Sequence, residues 1–227
     1  MKPKIKICGI TSAADGRTAA QAGADYIGII VNIDGSPRSV APEQARAIIK
    51  GITAPAILLI ENKTADIAAL IAETKAAGIQ IIGDYPIEAL IALKKTVPVS
   101  IWQSVRIPQS GTGCLPVNEL EQTIDRYHSA GLDAIVLDTL VADQKGGTGK
   151  TCDWDLAAHI VSSAPLPVYL AGGITPKNAA DAVQRVAPHG IDLSSGVEKK
   201  PGIKDPQKIA DLFRSINSLQ LQQGDQF

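Results

Sequence analysis

A chain of 227 residues with 45% hydrophobic and 20% charged side chains suffices for one barrel-sized domain or two small ones, with a sizeable core in either case. Its 22 basic and 23 acidic residues leave a formal net charge of −1, which offers no electrostatic footprint for nucleic acid or an anionic membrane. No apolar run approaches the roughly 20 residues of a membrane span. The basic start MKPKIKICGI enters a strand pattern without a signal-peptide core, and the three cysteines (Cys8, Cys114, Cys152) fit neither a disulfide framework nor a zinc site. A soluble cytoplasmic protein without a metal is expected.

Taken in order, strand-like apolar runs fall at Ile5–Cys8, Tyr26–Val31, Ala56–Ile60, Ile79–Ile82, Val99–Val105, Ala134–Leu137, Val168–Ala171 and Ile191–Leu193. Their near-continuous apolar character is that of parallel strands covered on both faces. Helical patterns occupy the gaps: Ser12–Ala22, Pro42–Ile49, Thr64–Ala77, Ile87–Lys95, Val117–Ala130, Trp154–Ser162, Pro176–Val186 and Pro206–Ile216. A quiet echo runs through them, since AGADYIG, AGIQIIG, AGLDAIV and HGIDLSS recur at Gly23, Gly78, Gly131 and Gly190. Each glycine is expected to make the left-handed turn that ends a helix before the next strand. Strand–helix alternation without a polar linker predicts a single-domain (β/α)8 TIM barrel over residues 1–216, with a polar, frayed tail at 217–227. A doubly wound open sheet is the alternative.

In a barrel, working residues sit at the carboxyl ends of the strands. Those positions hold Cys8 after the first strand, Arg38 in the loop after the second, Asp138 after the sixth, Gly172 and Gly173 after the seventh, and Ser195 and Gly196 after the eighth. Closure of the barrel sets Cys8 and Asp138 across the mouth from one another, as a base and acid pair would be. A lone cysteine is otherwise a small buried hydrophobe, and a strand-end aspartate otherwise a cap. The glycines and serines after the last two strands leave backbone N–H groups converging on one spot, a nest that favours phosphate, or else they make two tight turns. Arg38 suits a bidentate grip on a carboxylate or a solvated loop. The segment Gly146–Thr151 departs from a Walker loop, because Gln144 stands where its first glycine belongs, and reads better as a flap over the mouth. His128, His159 and His189 fall in or at the ends of helices, which argues against a metal site.

With these residues assembled, the chain resembles the phosphoribosylanthranilate isomerases of tryptophan biosynthesis. The matching blocks are KICGIT (Lys6–Thr11), AGADYIG (Ala22–Gly28), SPRSV (Ser36–Val40), VLDT (Val136–Thr139), GGTGKTCDW (Gly146–Trp154), LAGGITPKNAADAV (Leu170–Val183) and GIDLSSGVEKKPGIKD (Gly190–Asp205). The resemblance implies a cofactor-free Amadori rearrangement of N-(5-phosphoribosyl)anthranilate to 1-(2-carboxyphenylamino)-1-deoxyribulose 5-phosphate. It implies Asp138 as general acid, Cys8 as general base and Arg38 on the anthranilate carboxylate. Gly147, Gly172, Gly173, Ser195 and Gly196 would complete the substrate site, the last four around the phosphate. A small phosphorylated substrate is the expected partner, with monomer and homodimer both open. The chain departs from the family at Ile82, where histidine is usual, at Cys152, where phenylalanine is usual, and in the aliphatic ends of the second and third strands. Two other readings remain at this point: a divergent barrel for another phosphorylated aminosugar, and a catalytically silent phosphate-binding barrel.

Overall fold

The computed structural model describes residues 2–109, 116–139 and 151–224. Eight parallel strands form the barrel: β1 (Lys4–Ile7), β2 (Tyr26–Val31), β3 (Ala56–Glu61), β4 (Gly78–Ile82), β5 (Ser100–Ile107), β6 (Ala134–Thr139), β7 (Val168–Leu170) and β8 (Gly190–Leu193). Each pairs with its sequence neighbours, and β1 pairs with both β2 and β8, so the sheet closes and the open-sheet alternative falls. The closing register runs Lys4↔Gly190 to Ile7↔Leu193. Helices α1 (Ala13–Ala22), α2 (Pro42–Lys50), α3 (Ile67–Thr74), α4 (Ile87–Thr96), α5 (Val117–Ser129), α6 (Trp154–Ser163), α7 (Ala179–Val186) and α8 (Pro206–Gly224) follow the strands in turn.

The period of two along each strand divides the side chains between two cores. One set, including Ile5, Ile7, Ile27, Ile29, Leu58 and Ile60, packs outward against the helices. The other fills the barrel, where Ile57, Trp102, Ala134, Val136, Tyr169 and Ala171 are buried together. At the amino end Trp102 stacks on Tyr169 with ring centroids 4.4 Å apart, and Tyr26 meets Trp102 edge-on at 5.0 Å. Three of the chain's few aromatic residues therefore plug the bottom of the barrel. Its top is left to smaller and polar side chains, and to a cavity.

The glycine echo is only half a set of turns. Gly23 and Gly131 do adopt left-handed conformations, with φ of 109° and 82°. Gly78 and Gly190 instead begin strands, and the turns before them are made by Lys75 (φ 61°) and Ala187 (φ 49°). Glycine is required at 78 and 190 for a different reason. A Cβ at Gly190 would press on the Tyr169 ring and the Lys4 carbonyl, and one at Gly78 on Ile57 and Ser100. Pro176 also lies outside its expected helix: Asn178 Oδ1 accepts from the Thr175 N–H at 2.7 Å, a turn that delays α7 to Ala179. At the other end α8 continues past Ile216 to Gly224, and Leu219 packs against the core.

Candidate active site

Every expected site residue that lies in the described segments lines one cavity of about 210 Å³ at the carboxyl ends of the strands. These are Cys8, Arg38, Asp138, Gly172, Gly173, Ser195 and Gly196. Gly147, with the expected flap, lies outside the described residues.

Cys8 follows β1 directly, its N–H donating to the Leu193 carbonyl of β8 at 2.7 Å. The thiol has room only because residue 28 is glycine, where a Cβ would come within 2.7 Å of Cys8 Sγ. Asp138 is the last residue but one of β6, and its Oδ1 accepts from the N–H of Thr139 at 2.8 Å. Burial pushes the Asp138 carboxyl up, out of the ordinary carboxylate range, with the Thr139 N–H holding it back. Burial likewise pushes the Cys8 thiol up, while the Lys6 and Lys204 ammonium groups work the other way. A carboxyl inclined to keep its proton and a thiol beside two cations suit an acid and a base.

Beneath them is a pair that the sequence reading did not single out. Lys6 is fully buried inside the barrel, and its Nζ donates to Asp192 Oδ2 at 2.8 Å. Burial opposes the Lys6 charge, but Asp192 and Cys8 outweigh it and hold the amine above its usual range. Charged residues within the apolar strands KIKI and GIDL were the available signal. Their oddity in strands covered on both faces marks an inward-facing pair. Lys6→Met leaves Asp192 buried without its counter-charge and is expected to cost about 3–5 kcal/mol of stability. Urea denaturation measures this, and the double variant Lys6→Met, Asp192→Leu is expected to recover most of the loss.

Arg38 is not the solvated loop residue that its neighbours Ser36 and Pro37 allow for. It is 8% exposed, and its Nε and Nη2 donate to Glu198 Oε1 and Oε2 at 2.9 and 2.7 Å. Glu198 Oε1 also accepts from Lys204 Nζ at 2.8 Å. Burial opposes the Glu198 charge, yet the bonds from Arg38 and Lys204 prevail and hold its carboxyl below the usual range. Glu198 and Lys204 lie inside the block GVEKKPGIKD, but their link to Arg38 spans 160 residues, and local pattern gives no sign of it.

The phosphate nest expected after the last two strands is built on close backbone approach. Gly172 and Gly173 have φ of 82° and 65°, and a Cβ at Gly172 would collide with Thr139. After β8 a single 3₁₀ turn spans Ser195–Val197, and a Cβ at Gly196 would run into the Ile174 carbonyl. Opposite, the cavity wall is aliphatic, formed by Ile30, Leu59 and Ile82, and no aromatic side chain lines it among the described residues. Among the described residues no group of three or more His, Cys, Asp or Glu could hold a metal ion.

The family model for N-(5'-phosphoribosyl)anthranilate (PRA) isomerase matches residues 5–215. The N-(5'-phosphoribosyl)anthranilate isomerase of Gloeothece citriformis is 36% identical over 219 residues, covering 94% of each chain. That of Methanopyrus kandleri is 33% identical over 217 residues, covering 95% of this chain and 99% of its own. The crystal structure of phosphoribosyl anthranilate isomerase from Thermotoga maritima superposes with a TM-score of 0.80 at 25% identity, covering 95% of this chain and 99% of that one. A closed barrel with its cavity at the strand ends, matched by that family's model over nearly all its length, the chain belongs to the N-(5'-phosphoribosyl)anthranilate isomerases of tryptophan biosynthesis.

Proposed function

We propose that Asp138 and Cys8 are the general acid and base with which this isomerase converts N-(5-phosphoribosyl)anthranilate to 1-(2-carboxyphenylamino)-1-deoxyribulose 5-phosphate. Asp138 gives its proton to the furanose ring oxygen; the ring C–O bond breaks and the amine nitrogen shares its lone pair to form a cationic Schiff base. That cation makes the proton on C2′ acidic, and the Cys8 thiolate removes it. The electrons of the C–H bond close an enolamine, which tautomerises to the ketone. Protons pass between the substrate and these two side chains while electron pairs shift within the substrate, so the chemistry calls for no cofactor.

The observation that carries this reading is the meeting of a carboxyl with a raised proton affinity and a thiol in one cavity. Its polar lining supports a sugar substrate. Gln80 Oε1, Asp192 Oδ1 and Ser194 Oγ lie there without a hydrogen-bond partner among the described residues. Gly172, Gly173, Ser195 and Gly196 would hold the phosphate by their backbone N–H groups. Gly147, outside the described residues, is the further substrate-binding residue that the family resemblance adds. Arg38 would take the anthranilate carboxylate, with the ring against Ile30, Leu59 and Ile82. The chemistry serves a monomer or a homodimer alike, and a cytoplasmic setting suits a biosynthetic isomerase.

The test is the loss of anthranilate fluorescence when purified protein is added to freshly made substrate, with spontaneous breakdown subtracted. Steady enzymatic loss is expected, and none from folded protein would overturn the assignment. In the same assay Arg38→Ala is expected to raise KM by about tenfold or more with kcat little changed, the signature of lost uniform binding. An unchanged KM would remove Arg38 from the carboxylate.

A further inference from the structure

A guanidinium has two edges that pair with a carboxylate, Nε with Nη2 and Nη1 with Nη2. In Arg38 the first edge is taken by Glu198, whose two oxygens accept from Nε and Nη2. Nη1 has no partner among the described residues, and Arg38 lines the cavity, so the second edge remains for a ligand. Glu198 is itself held firmly. It is 6% exposed, and Oε1 accepts from Lys204 Nζ at 2.8 Å and from the Gly202 N–H at 3.3 Å. Its carbonyl accepts from Lys208 Nζ at 2.7 Å, and its backbone pairs with Lys204 in a two-stranded hairpin of Glu198–Lys200 with Ile203–Lys204. The hairpin is tied to the loop after β1, where Thr11 Oγ1 donates to the Gly202 carbonyl at 2.6 Å. Arg38 has little freedom beyond this pair, because its Cδ lies against Gly9, where a Cβ would come within 2.7 Å.

We propose that Glu198 is the positioning residue for Arg38, turning its Nη1/Nη2 edge toward the substrate carboxylate and setting that edge's distance from the phosphate cradle. This rests on the reading of Arg38 as the carboxylate site. Glu198 follows directly on the turn that contains Ser195 and Gly196. The stretch from Ser195 to Glu198 thus holds the substrate at both ends: its backbone faces the phosphate, and its last side chain aims the arginine at the carboxylate. It acts as a ruler selecting ligands with two anionic groups a fixed distance apart. A neutral residue at 198 leaves Arg38 and Lys204 as close, unbalanced cations, which drives the guanidinium out of line.

Two ligands separate positioning from mere support: the carboxyphenylamino deoxyribulose phosphate, and its phenylamino counterpart lacking the carboxylate. Equilibrium titration of Glu198→Gln is expected to give affinity for the first on the order of tenfold weaker, and affinity for the second as in the unaltered protein. In turnover, KM rises and kcat at saturation holds. Glu198→Asp keeps the charge but shortens its reach. It is expected to show the same selective loss in smaller measure, and it covers the case in which Glu198→Gln does not fold. Unchanged affinity for the carboxylated ligand, or equal losses for both ligands, overturns the proposal. Arg38→Ala, titrated alongside, tests the underlying reading alone. If it leaves the carboxylated ligand bound as before, Arg38 is not the carboxylate site and Glu198 has nothing to position. If it loses that ligand while both Glu198 variants keep it, Arg38 stands and the positioning role falls.

Discussion

Asp138→Asn is expected to lower kcat/KM by about 10²–10⁴-fold and to raise the melting temperature at neutral pH. The two effects have one cause. Burial makes the folded protein hold the Asp138 proton more tightly than the unfolded chain does. Below the ordinary aspartate range the group is protonated in both states and adds nothing to a pH dependence. Stability falls as pH rises through the unfolded value, and the loss is complete once the raised, folded value is passed. Asparagine has no such ionisation, so the variant gains at pH 7 and the gain vanishes in acid. It also has no proton to give the ring oxygen, so ring opening loses its acid. Thermal unfolding at pH 7 and at pH 3, beside steady-state kinetics, checks both halves. A variant within tenfold of the parent rate would remove Asp138 from the acid role. A melting gain that persists undiminished in acid would deny that its charge is the cost.

The second large effect is expected at the opposite side of the cavity. Cys8→Ser keeps the shape of the side chain but replaces a thiol by a hydroxyl that does not ionise near neutrality. A fall in kcat of about 10²–10⁴-fold is expected, with substrate affinity retained. The pH profile of the unaltered enzyme bears on the same pair. Both Asp138 and Cys8 are raised by burial, the carboxyl from a low starting point and the thiol from a high one. Below the Asp138 titration the pair holds two protons, above the Cys8 titration none, and between them one. The competent arrangement, with the proton on the carboxyl and not on the sulfur, is then a constant minority of that middle range. A bell-shaped kcat/KM follows, with its acid limb set by Asp138 and its alkaline limb by Cys8. The Lys6 and Lys204 ammonium groups enlarge that minority by favouring the thiolate. Undiminished turnover by Cys8→Ser, or a profile that rises steadily through the thiol range, would contradict the assignment.

What the sequence revealed and what it hid divide along a physical line. Strand positions were legible because apolar runs of three to seven residues carry their own signal, and Cys8, Arg38 and Asp138 followed from standing at or just after strand ends. Helix starts were less legible. The Thr175–Asn178 turn diverts the backbone before α7, and a proline there fits either reading. The glycine echo misled because one residue type answers two needs, a positive φ at Gly23 and the absence of a side chain at Gly190. Least legible were Lys6–Asp192 and Arg38–Glu198–Lys204. Buried charges are tolerable only with their partners, and those partners lie up to 186 residues away. The aliphatic cavity wall was readable in the scarcity of aromatic residues, three of which lie at the opposite end of the barrel.

The seam of the barrel has a further consequence, one of assembly. Lys6 lies in β1 with Cys8 directly after it, whereas Asp192 lies in β8 with Ser195 and Glu198 just beyond it. The register Lys4↔Gly190 to Ile7↔Leu193 joins them. Lys6 has its counter-ion, and Arg38 its anchor, only when β8 and the hairpin after it are in place. Closing the seam and completing the two buried ion pairs are therefore coupled: neither Lys6 nor Arg38 is neutralised in a barrel that lacks its last segment.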